Sequence, residues 1–469
     1  MAHILIATSG FPSTLYPSLE LGRRLAAAGH RVTFIGDDEG RRAKLAKHLG
    51  LEFLPLAPSG YRRFLDEDSR RSRITRWRQL PARRRAAVKS LAVEGFVKDL
   101  RRAAPDLVLI DGEMHEHIIS AAADGWSVAL LNSFPATWRR PGLPPLHISA
   151  RPGVGWRGSR LGLGLAWTAY RGRKKLRALS HRWRWAGCDR ISVLEALAQE
   201  VGFDFRQEID DSQWLIPFTY RHLPVLSLHA REFDFPHRPP KRVRYVGPMV
   251  LRQRMDRNPR KRDRKRLEEL FRRRRSDPQQ RLIYAGFGSM LTADLGFLRR
   301  LVSALSSESS TESSESPPWE LILSLSGQVK PSDLGELPPT VHAFSWVPQL
   351  EVLEHADAAI THGGVNTLDE CILAGVPMLV YCGGETDMAG NTARVVHHGL
   401  GLAGDRDRDD GEAIRGRIFR LLAGGERRLE AMRQHYRAYQ TESVAERTVE
   451  MLLRRFGAGE KRVRGESSP

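Results

Sequence analysis

Residues 342–401 read HAFSWVPQLEVLEHADAAITHGGVNTLDECILAGVPMLVYCGGETDMAGNTARVVHHGLG, in which short apolar runs alternate with polar turns. The run at 358–360 predicts a short buried strand, and the two glycines within 362–364 predict a turn, because glycine adopts positive φ angles easily. Residues 365–374 predict a helix. A strand, a glycine turn and a helix N-terminus place free backbone N–H groups and the positive end of the helix dipole at one point. The sequence therefore predicts an anion-binding site here.

The side chains of this stretch suit a ligand that carries a diphosphate, a ribose and a base. His362 is expected at the mouth of the anion site, where Asn366 and Thr367 add hydrogen-bond donors. Glu370 follows one turn later and can accept hydrogen bonds from a ribose diol. Trp346 offers a flat ring on which a base can stack.

In order and spacing these residues resemble the donor-sugar signature of the UDP-glycosyltransferase superfamily, the inverting enzymes of GT-B fold. The matching segments are Trp-Val-Pro-Gln at 346–349, Thr-His-Gly-Gly-Val-Asn-Thr-Leu-Asp-Glu at 361–370, Ala-Gly-Val-Pro at 374–377 and Asp-Met-Ala-Gly-Asn-Thr at 387–392. The chain departs from the signature at two positions. Cys382 replaces a proline, and Met388 replaces the glutamine that follows the aspartate.

The resemblance implies a UDP-sugar as co-substrate, with no metal and no other cofactor. The sequence shows no cluster of metal ligands with suitable spacing. The implied donor-binding residues are Ser289, Trp346, Gln349, His362, Gly364, Asn366, Thr367, Glu370 and Asp387.

Strand-like and helix-like segments alternate in both halves of the chain, a pattern typical of doubly wound parallel sheets. The expected fold class is α/β of GT-B type, with two Rossmann-like domains facing each other across a cleft. We expect an acceptor-binding domain at 1–240 and a nucleotide-sugar-binding domain at 241–425. Helices at 426–456 should pack back on the N-terminal domain, and 457–469 should form a disordered tail.

The general base is the open point of the mechanism. The superfamily places a histidine in the loop after the first strand, three residues before a proline, and the matching position here is Thr14. Thr14 is therefore assigned to the acceptor loop, since its hydroxyl cannot act as a base at neutral pH. Asp111, at the end of a later strand, is the favoured base, with Glu113 and His115 as alternatives. His362 completes the catalytic set. Glu113 and His115 could equally be residues without a chemical role.

Composition limits the classes of protein to consider. The 469 residues suggest two domains, and three scattered cysteines fit a reducing compartment rather than a disulfide framework. The N-terminus lacks a signal-peptide pattern, and no apolar run is long enough to span a bilayer. We expect a cytoplasmic protein, with peripheral contact at the inner face of the membrane as an alternative location.

The formal net charge is +19, and Lys and Arg concentrate in three regions. Within one of these regions, residues 156–185 also include several Trp and Leu residues. Such a mixture is typical of a membrane-surface patch, and it is equally typical of an amphipathic helix packed on its domain. A membrane patch would favour a lipid-soluble acceptor.

Three functions are therefore considered. The leading hypothesis is transfer of a hexose, glucose first, from a UDP-sugar to a hydroxyl of a hydrophobic acceptor. The second is a non-catalytic partner subunit that binds sugar nucleotides, suggested by the missing histidine. The third is a basic nucleic-acid-binding protein, which no recognised motif supports, so no specific nucleic acid partner is expected. The sequence leaves open the acceptor, the sugar, UDP against dTDP, and the oligomeric state.

Overall fold

The computed structural model describes the chain apart from residues 38–39, 255–259, 278, 289–293, 307–318, 328, 384–385, 425 and 466–469, and at 41, 426 and 458–465 it describes the backbone only. The strands of the first half are β1 (His3–Ala7), β2 (Arg31–Gly36), β3 (Glu52–Pro55), β4 (Leu107–Asp111), β5 (Val128–Asn132), β6 (Ile209–Asp210), β7 (Thr219–Tyr220), β8 (Val225–Ser227) and β9 (Val243–Tyr245). Those of the second half are β10 (Arg281–Gly286), β11 (Trp319–Ser324), β12 (Val341–Phe344), β13 (Ala358–Thr361), β14 (Met378–Val380) and β15 (Gly401–Ala403).

Helices cover both halves. The helices of the first half are α1 (Pro12–Ala27), α2 (Arg41–His48), α3 (Tyr61–Ser69), α4 (Arg73–Arg78), α5 (Leu80–Ser90), α6 (Val93–Ala103), α7 (His115–Ala123), α8 (Gly155–Gly158), α9 (Arg160–Arg184), α10 (Arg190–Val201) and α11 (Phe205–Glu208). Those of the second half are α12 (Lys261–Ser276), α13 (Leu295–Ser306), α14 (Gln349–Leu353), α15 (Val365–Ala374), α16 (Met388–His398), α17 (Gly411–Leu422), α18 (Glu426–Thr441) and α19 (Val444–Gly465).

The strands form two parallel sheets and a small antiparallel pair, β6 with β7. The first sheet has the order β3-β2-β1-β4-β5-β8-β9, and the second has the order β12-β11-β10-β13-β14-β15. Because helices cover both faces of each sheet, the strands are continuously apolar, as in β4, where all five residues are buried. The α/β GT-B architecture expected from the sequence is confirmed.

Both sheets reverse their strand order at the same place. Strand β1 lies beside β4, with Ala7 opposite Ile110, and β10 lies beside β13, with Gly286 opposite Thr361. The loops that follow these strands diverge, which opens a crevice at the carboxyl ends of the sheet. The loops after β1, β4, β10 and β13 are therefore placed to form a site.

Helix α1 begins earlier than the sequence pattern suggested. Thr14 was expected in the loop after the first strand, but the helix starts at Pro12. Proline has no backbone N–H to satisfy and has a fixed φ near the helical value, so it fits the first turn. As a result Thr14 lies inside the helix, where it is 2% exposed.

The C-terminal helices divide between the two halves, which differs from the expectation for 426–456. Helix α18 packs on α15 and joins the second core through Leu429, Met432 and Tyr436. Helix α19 returns to the first half, where Ala445 and Val449 pack in the core beneath α1. Helix α19 runs to Gly465, so most of the segment expected as a disordered tail is helical. No helix in the described part of the chain is long and apolar enough to cross a membrane.

A buried ion pair joins the two halves. Arg394 on α16 is fully buried, and its guanidinium lies 2.7 Å from the carboxylate of Asp234, which lies between β8 and β9 of the first sheet. The same carboxylate accepts the hydroxyl of Tyr245 at 2.6 Å and the backbone N–H of Ala136. These contacts fix α16 against the first half.

Replacing Arg394 with leucine should therefore destabilise the protein strongly. The substitution leaves the Asp234 charge buried without its partner, which costs about 3–5 kcal/mol. Urea unfolding followed by circular dichroism measures the loss. Arg31→Leu is the control, since the Arg31–Glu52 pair is half exposed on both sides and should contribute little. An Arg394→Leu midpoint equal to that of the control would contradict this account.

Candidate functional site

The candidate site lies in the crevice where the carboxyl ends of the two sheets meet. Its donor side is built from the loops after β10 and β13 with the first turn of α15, and its opposite side from the loops after β1 and β4. The two sides touch directly, because the Asn366 side chain donates to the backbone carbonyls of Pro12 and Ser13 at 3.4 and 3.3 Å. Asn366 lies at the helix N-terminus as the sequence indicated, but its amide bridges the two halves.

His362 is held in a slot between glycines. A methyl group on Gly364 would lie 2.5 Å from its Nε2, and one on Gly288 would lie 2.7 Å from its Cε1. Burial lowers the pKa of His362 to about 4, so the ring is neutral at neutral pH. It can therefore act as a neutral hydrogen-bond donor beside the N-terminus of α15.

The glycine turn is tied to Asp387 by one amide. Asn391 on α16 donates to the carbonyl of Gly363 at 3.0 Å and to the carboxylate of Asp387 at 2.7 Å. Gly363 has a φ of +90°, which a residue with a side chain rarely adopts. Burial raises the pKa of Asp387 above its ordinary value, while Asn391 opposes that shift.

Glu370 is the centre of a hydrogen-bonded group. It is 6% exposed and accepts the Gln349 amide at 2.6 Å and the Arg254 guanidinium at 2.7 Å. Gln349 also donates to Thr367 at 3.3 Å and accepts the Tyr284 hydroxyl at 2.8 Å. The structure thus brings Gln349, Thr367 and Glu370 together, with Gln349 holding Glu370 in place.

The indole of Trp346 is half-buried, and no aromatic ring among the described residues stacks on it. Ser289, expected at the phosphate side, lies outside the described residues.

Arg254 was missed by the sequence analysis, because it belongs to no part of the signature and stands at the edge of an arginine-rich stretch.

On the opposite side, Asp111 is enclosed by donors. Its carboxylate accepts the Ser9 hydroxyl at 2.6 Å, the Ser9 backbone N–H at 3.3 Å and the Glu113 backbone N–H at 3.1 Å. The Thr14 hydroxyl lies 3.1 Å from that of Ser9. Thr14 and Ser9 thus occupy the space beside the carboxylate, and Asp111 itself is 3% exposed.

Glu113 differs from Asp111 because its side chain is open to the crevice. Protein atoms around it still reduce its solvation, and the negative charges of Asp111 and Asp387 add to this effect. Together they raise the pKa of Glu113 to about 7. Asp387 belongs to the other half, so charges from both sides of the crevice contribute to this raised pKa. A carboxylate with a pKa near neutrality is suited to general base chemistry.

His115 is not part of this group, which corrects its assignment as a candidate base. Its ring is 2% exposed and lies in the first core, 4.6 Å from the Phe218 ring, with Nδ1 3.3 Å from the Tyr220 hydroxyl. Burial lowers its pKa to about 3. The side chain of the first residue of α7 turns into the core because aromatic residues from β7 and the loop before it surround it.

Comparison with known proteins agrees with this fold. The profile described as "Erythromycin biosynthesis protein CIII-like, C-terminal domain" matches residues 318–450. The glycotransferase of kitacinnamycin superposes with a TM-score of 0.65 at 22% identity, covering 97% of this chain and 98% of that chain. The chain has the GT-B fold, and the matched residues 318–450 contain the stretch that resembles the UDP-glycosyltransferase signature.

Two relatives show how far the sequence similarity extends. Oleandomycin glycosyltransferase of Streptomyces antibioticus is 32% identical over 124 residues, which are 26% of this chain and 26% of that protein. Zeaxanthin glucosyltransferase of Pantoea ananas is 23% identical over 428 residues, which are 87% of this chain and 85% of that protein. In oleandomycin glycosyltransferase and two further relatives, the matched part is about a quarter or less of the relative's length.

Gly364→Ala tests whether the position of His362, the histidine of the signature, matters for activity. The backbone at Gly364, with φ −64° and ψ 128°, accepts alanine without strain, so the added methyl acts only by displacing His362. We expect turnover to fall about 10²-fold with little change in melting temperature. Gly416→Ala is the control, because a methyl group there meets no atom within 4 Å. Unchanged turnover in Gly364→Ala would show that the position of His362 does not matter.

Proposed function

We propose that this protein transfers a hexose, glucose first, from a UDP-sugar to a hydroxyl of a hydrophobic or lipid-like acceptor, with inversion at the anomeric carbon. One observation carries the proposal. An anion site at the N-terminus of α15 faces, across one crevice, a carboxylate whose pKa is raised to about 7. The first group suits a diphosphate leaving group, and the second suits removal of a proton from an acceptor.

The donor is expected to lie along the group centred on α15. The diphosphate would meet the helix N-terminus and the neutral ring of His362, and the ribose diol would meet Glu370. The half-buried Trp346 would stack on the base. Asp387 would accept hydrogen bonds from the sugar hydroxyls. Asn366 would contribute once its amide leaves the carbonyls of Pro12 and Ser13.

The reaction would be a single displacement. Glu113 takes the proton of the acceptor hydroxyl, and the acceptor oxygen forms a bond to the anomeric carbon. The bond from that carbon to the β-phosphate oxygen breaks, and UDP leaves with the electron pair. Attack from the face opposite the leaving group inverts the configuration.

Glu113 is a better candidate for the base than Asp111. The Asp111 carboxylate accepts hydrogen bonds from three donors, so it has little freedom to reach an acceptor. Glu113 is open to the crevice, and the Asp111 charge is one reason for its raised pKa. Asp111 would then act as a positioning residue that also adjusts its neighbour.

A second candidate function is a partner subunit that binds sugar nucleotides without transferring the sugar. Thr14 favours the partner-subunit function, because it occupies the sequence position at which the superfamily has its histidine. The two functions are separated by incubating the protein with UDP-glucose and hydrophobic alcohols or lipid extracts, and then searching for a mass gain of one hexose. dTDP-glucose and added EDTA test the nucleotide and the expected independence from metals. Nucleotide binding without any hexose product would support the second candidate.

Glu370→Ala should weaken UDP binding by about 1–3 kcal/mol, since a charge-assisted pair of hydrogen bonds to the ribose is lost. UDP should raise the melting temperature of the wild type, as any ligand specific for the native state does. Isothermal titration calorimetry measures the affinity. Glu412→Ala, at the start of α17, is the control. Equal UDP affinity in Glu370→Ala and wild type would reject this position for the ribose.

Glu113→Gln should lower kcat by about 10²–10⁴-fold while UDP affinity stays the same. A base acts in its deprotonated form, so wild-type kcat should rise with pH through about 7. That rise should disappear in Glu113→Gln. Asp111→Asn should move the rise to lower pH, because removing a neighbouring negative charge lowers the pKa of Glu113.

His115→Gln serves as the control for the pH profile, since its ring lies in the core. Near-normal turnover in Glu113→Gln, together with loss of turnover in Asp111→Asn, would make Asp111 the base.

A further inference from the structure

Helix α9 lies on the surface of the first half with little of its length covered. Among its 25 residues only Leu163 and Trp167 are buried. The buried side is firmly attached, because the Trp167 indole donates to the carbonyl of Leu143 at 2.7 Å and the Tyr170 hydroxyl donates to that of Trp214 at 2.5 Å. The other side of the helix therefore has a fixed direction toward solvent.

That outer side carries a continuous apolar stripe. Leu161, Leu165, Leu176, Leu179 and Trp183 are 71%, 60%, 67%, 64% and 60% exposed. At about 100° per residue these positions fall within about 60° of one another around the helix. Large apolar side chains exposed in one line mark an interaction surface, whereas single exposed ones are ordinary.

Exposed cations border the stripe on both sides. Arg173, Arg177 and Arg184 follow one edge, and Lys175 and Arg182 follow the other. The sequence of α9 contains no Asp or Glu. The helix thus combines an apolar strip with two cationic borders.

Helix α4 extends the same surface. The guanidinium of Arg73 lies 4.8 Å from the centre of the Trp183 ring, and Arg76 donates to the carbonyl of Arg184 at 3.3 Å. Ile74 and Trp77 beside them are 68% and 38% exposed. Apolar and cationic side chains therefore alternate beyond the end of α9.

We propose that α9 and α4 bind in the plane of an anionic lipid bilayer. The leucines and tryptophans would enter the boundary between headgroups and acyl chains, and the flanking cations would meet lipid phosphates. A second copy of the chain fits less well, since two such helices would bring cation against cation without any carboxylate. A nucleic acid would use the cations but would leave the leucines in water.

The attachment of α9 also places the crevice near such a bilayer. Its partner Leu143 stands in the same loop as Leu146, and the carbonyl of Leu146 accepts the backbone N–H of Gly390 on α16 at 2.9 Å. The loop that anchors α9 thus also contacts α16, the helix that begins after Asp387. Under the proposed function, a bilayer bound at α9 would be a source of a lipid-soluble acceptor, whereas lipid binding itself does not rest on that function.

Sedimentation with vesicles tests the proposal without any sugar donor. Wild type should pellet with equimolar phosphatidylcholine and phosphatidylglycerol, less so at high salt, and should stay in the supernatant with phosphatidylcholine alone. The triple variant Leu165→Gln, Leu176→Gln, Leu179→Gln and the double variant Arg173→Glu, Arg177→Glu should each bind at least about tenfold more weakly. Since all five side chains are exposed, the variants should keep the wild-type melting temperature.

Two controls match these variants. Met451→Gln removes an apolar side chain that is 42% exposed on α19, and Arg262→Glu with Arg275→Glu reverses two exposed charges on the basic helix α12. Both should bind vesicles like wild type. Wild-type binding by the triple leucine variant would overturn the proposal, and so would no preference of wild type for the anionic vesicles. A wild-type dimer in sedimentation velocity that the triple leucine variant breaks would assign the stripe to a second copy instead.

Discussion

The buried pair between Arg394 and Asp234 is the contact on which the geometry of the crevice depends. A guanidinium with no exposed surface is stable only with a partner in good geometry, and Asp234 supplies it with help from Tyr245 and Ala136. Arg394 lies on α16, the helix that begins directly after Asp387. Fixing α16 against the first half therefore sets the distance between Asp387 and Glu113. The same contact that joins the domains thus contributes to the raised pKa of Glu113.

Two further buried contacts fix the position of the second half against the first. The backbone N–H of Gly390 meets the carbonyl of Leu146, and any side chain on Gly390 would collide with that oxygen. His229, from the first half, pairs with Asp369 on α15 at 2.7 Å. Burial opposes the charged form of this imidazole, but the Asp369 carboxylate outweighs burial and raises the pKa of His229. Helices α15 and α16, which carry the donor side, are thus each anchored to the first half.

The sequence predicted those features that local pattern determines. Continuous apolar strands between helices indicated two parallel sheets, and the glycines at 362–364 indicated the break in the chain between β13 and α15. The sequence pattern could not predict contacts between distant segments. Arg254 reaches Glu370 from 116 residues away, and nothing in a run of arginines distinguishes it. His115 looked like a site residue because it follows Asp111 closely, but a helix start turned it into the core.

The proposed use of Glu113 as the base puts a carboxylate in the role that the superfamily gives to an imidazole, and the negative charge of the crevice then has a function. An imidazole has a pKa near neutrality without help, whereas a glutamate must be raised by more than two units to match it. Desolvation and two neighbouring carboxylates supply that shift for Glu113. Negative charge near a departing diphosphate would oppose the reaction if the two were close. Here the diphosphate is expected at the positive end of the α15 dipole, on the other side of the anomeric carbon. An inverting displacement puts the base and the leaving group on opposite faces of the anomeric carbon, so with this arrangement one crevice can hold both a proton acceptor and a site for the leaving anion.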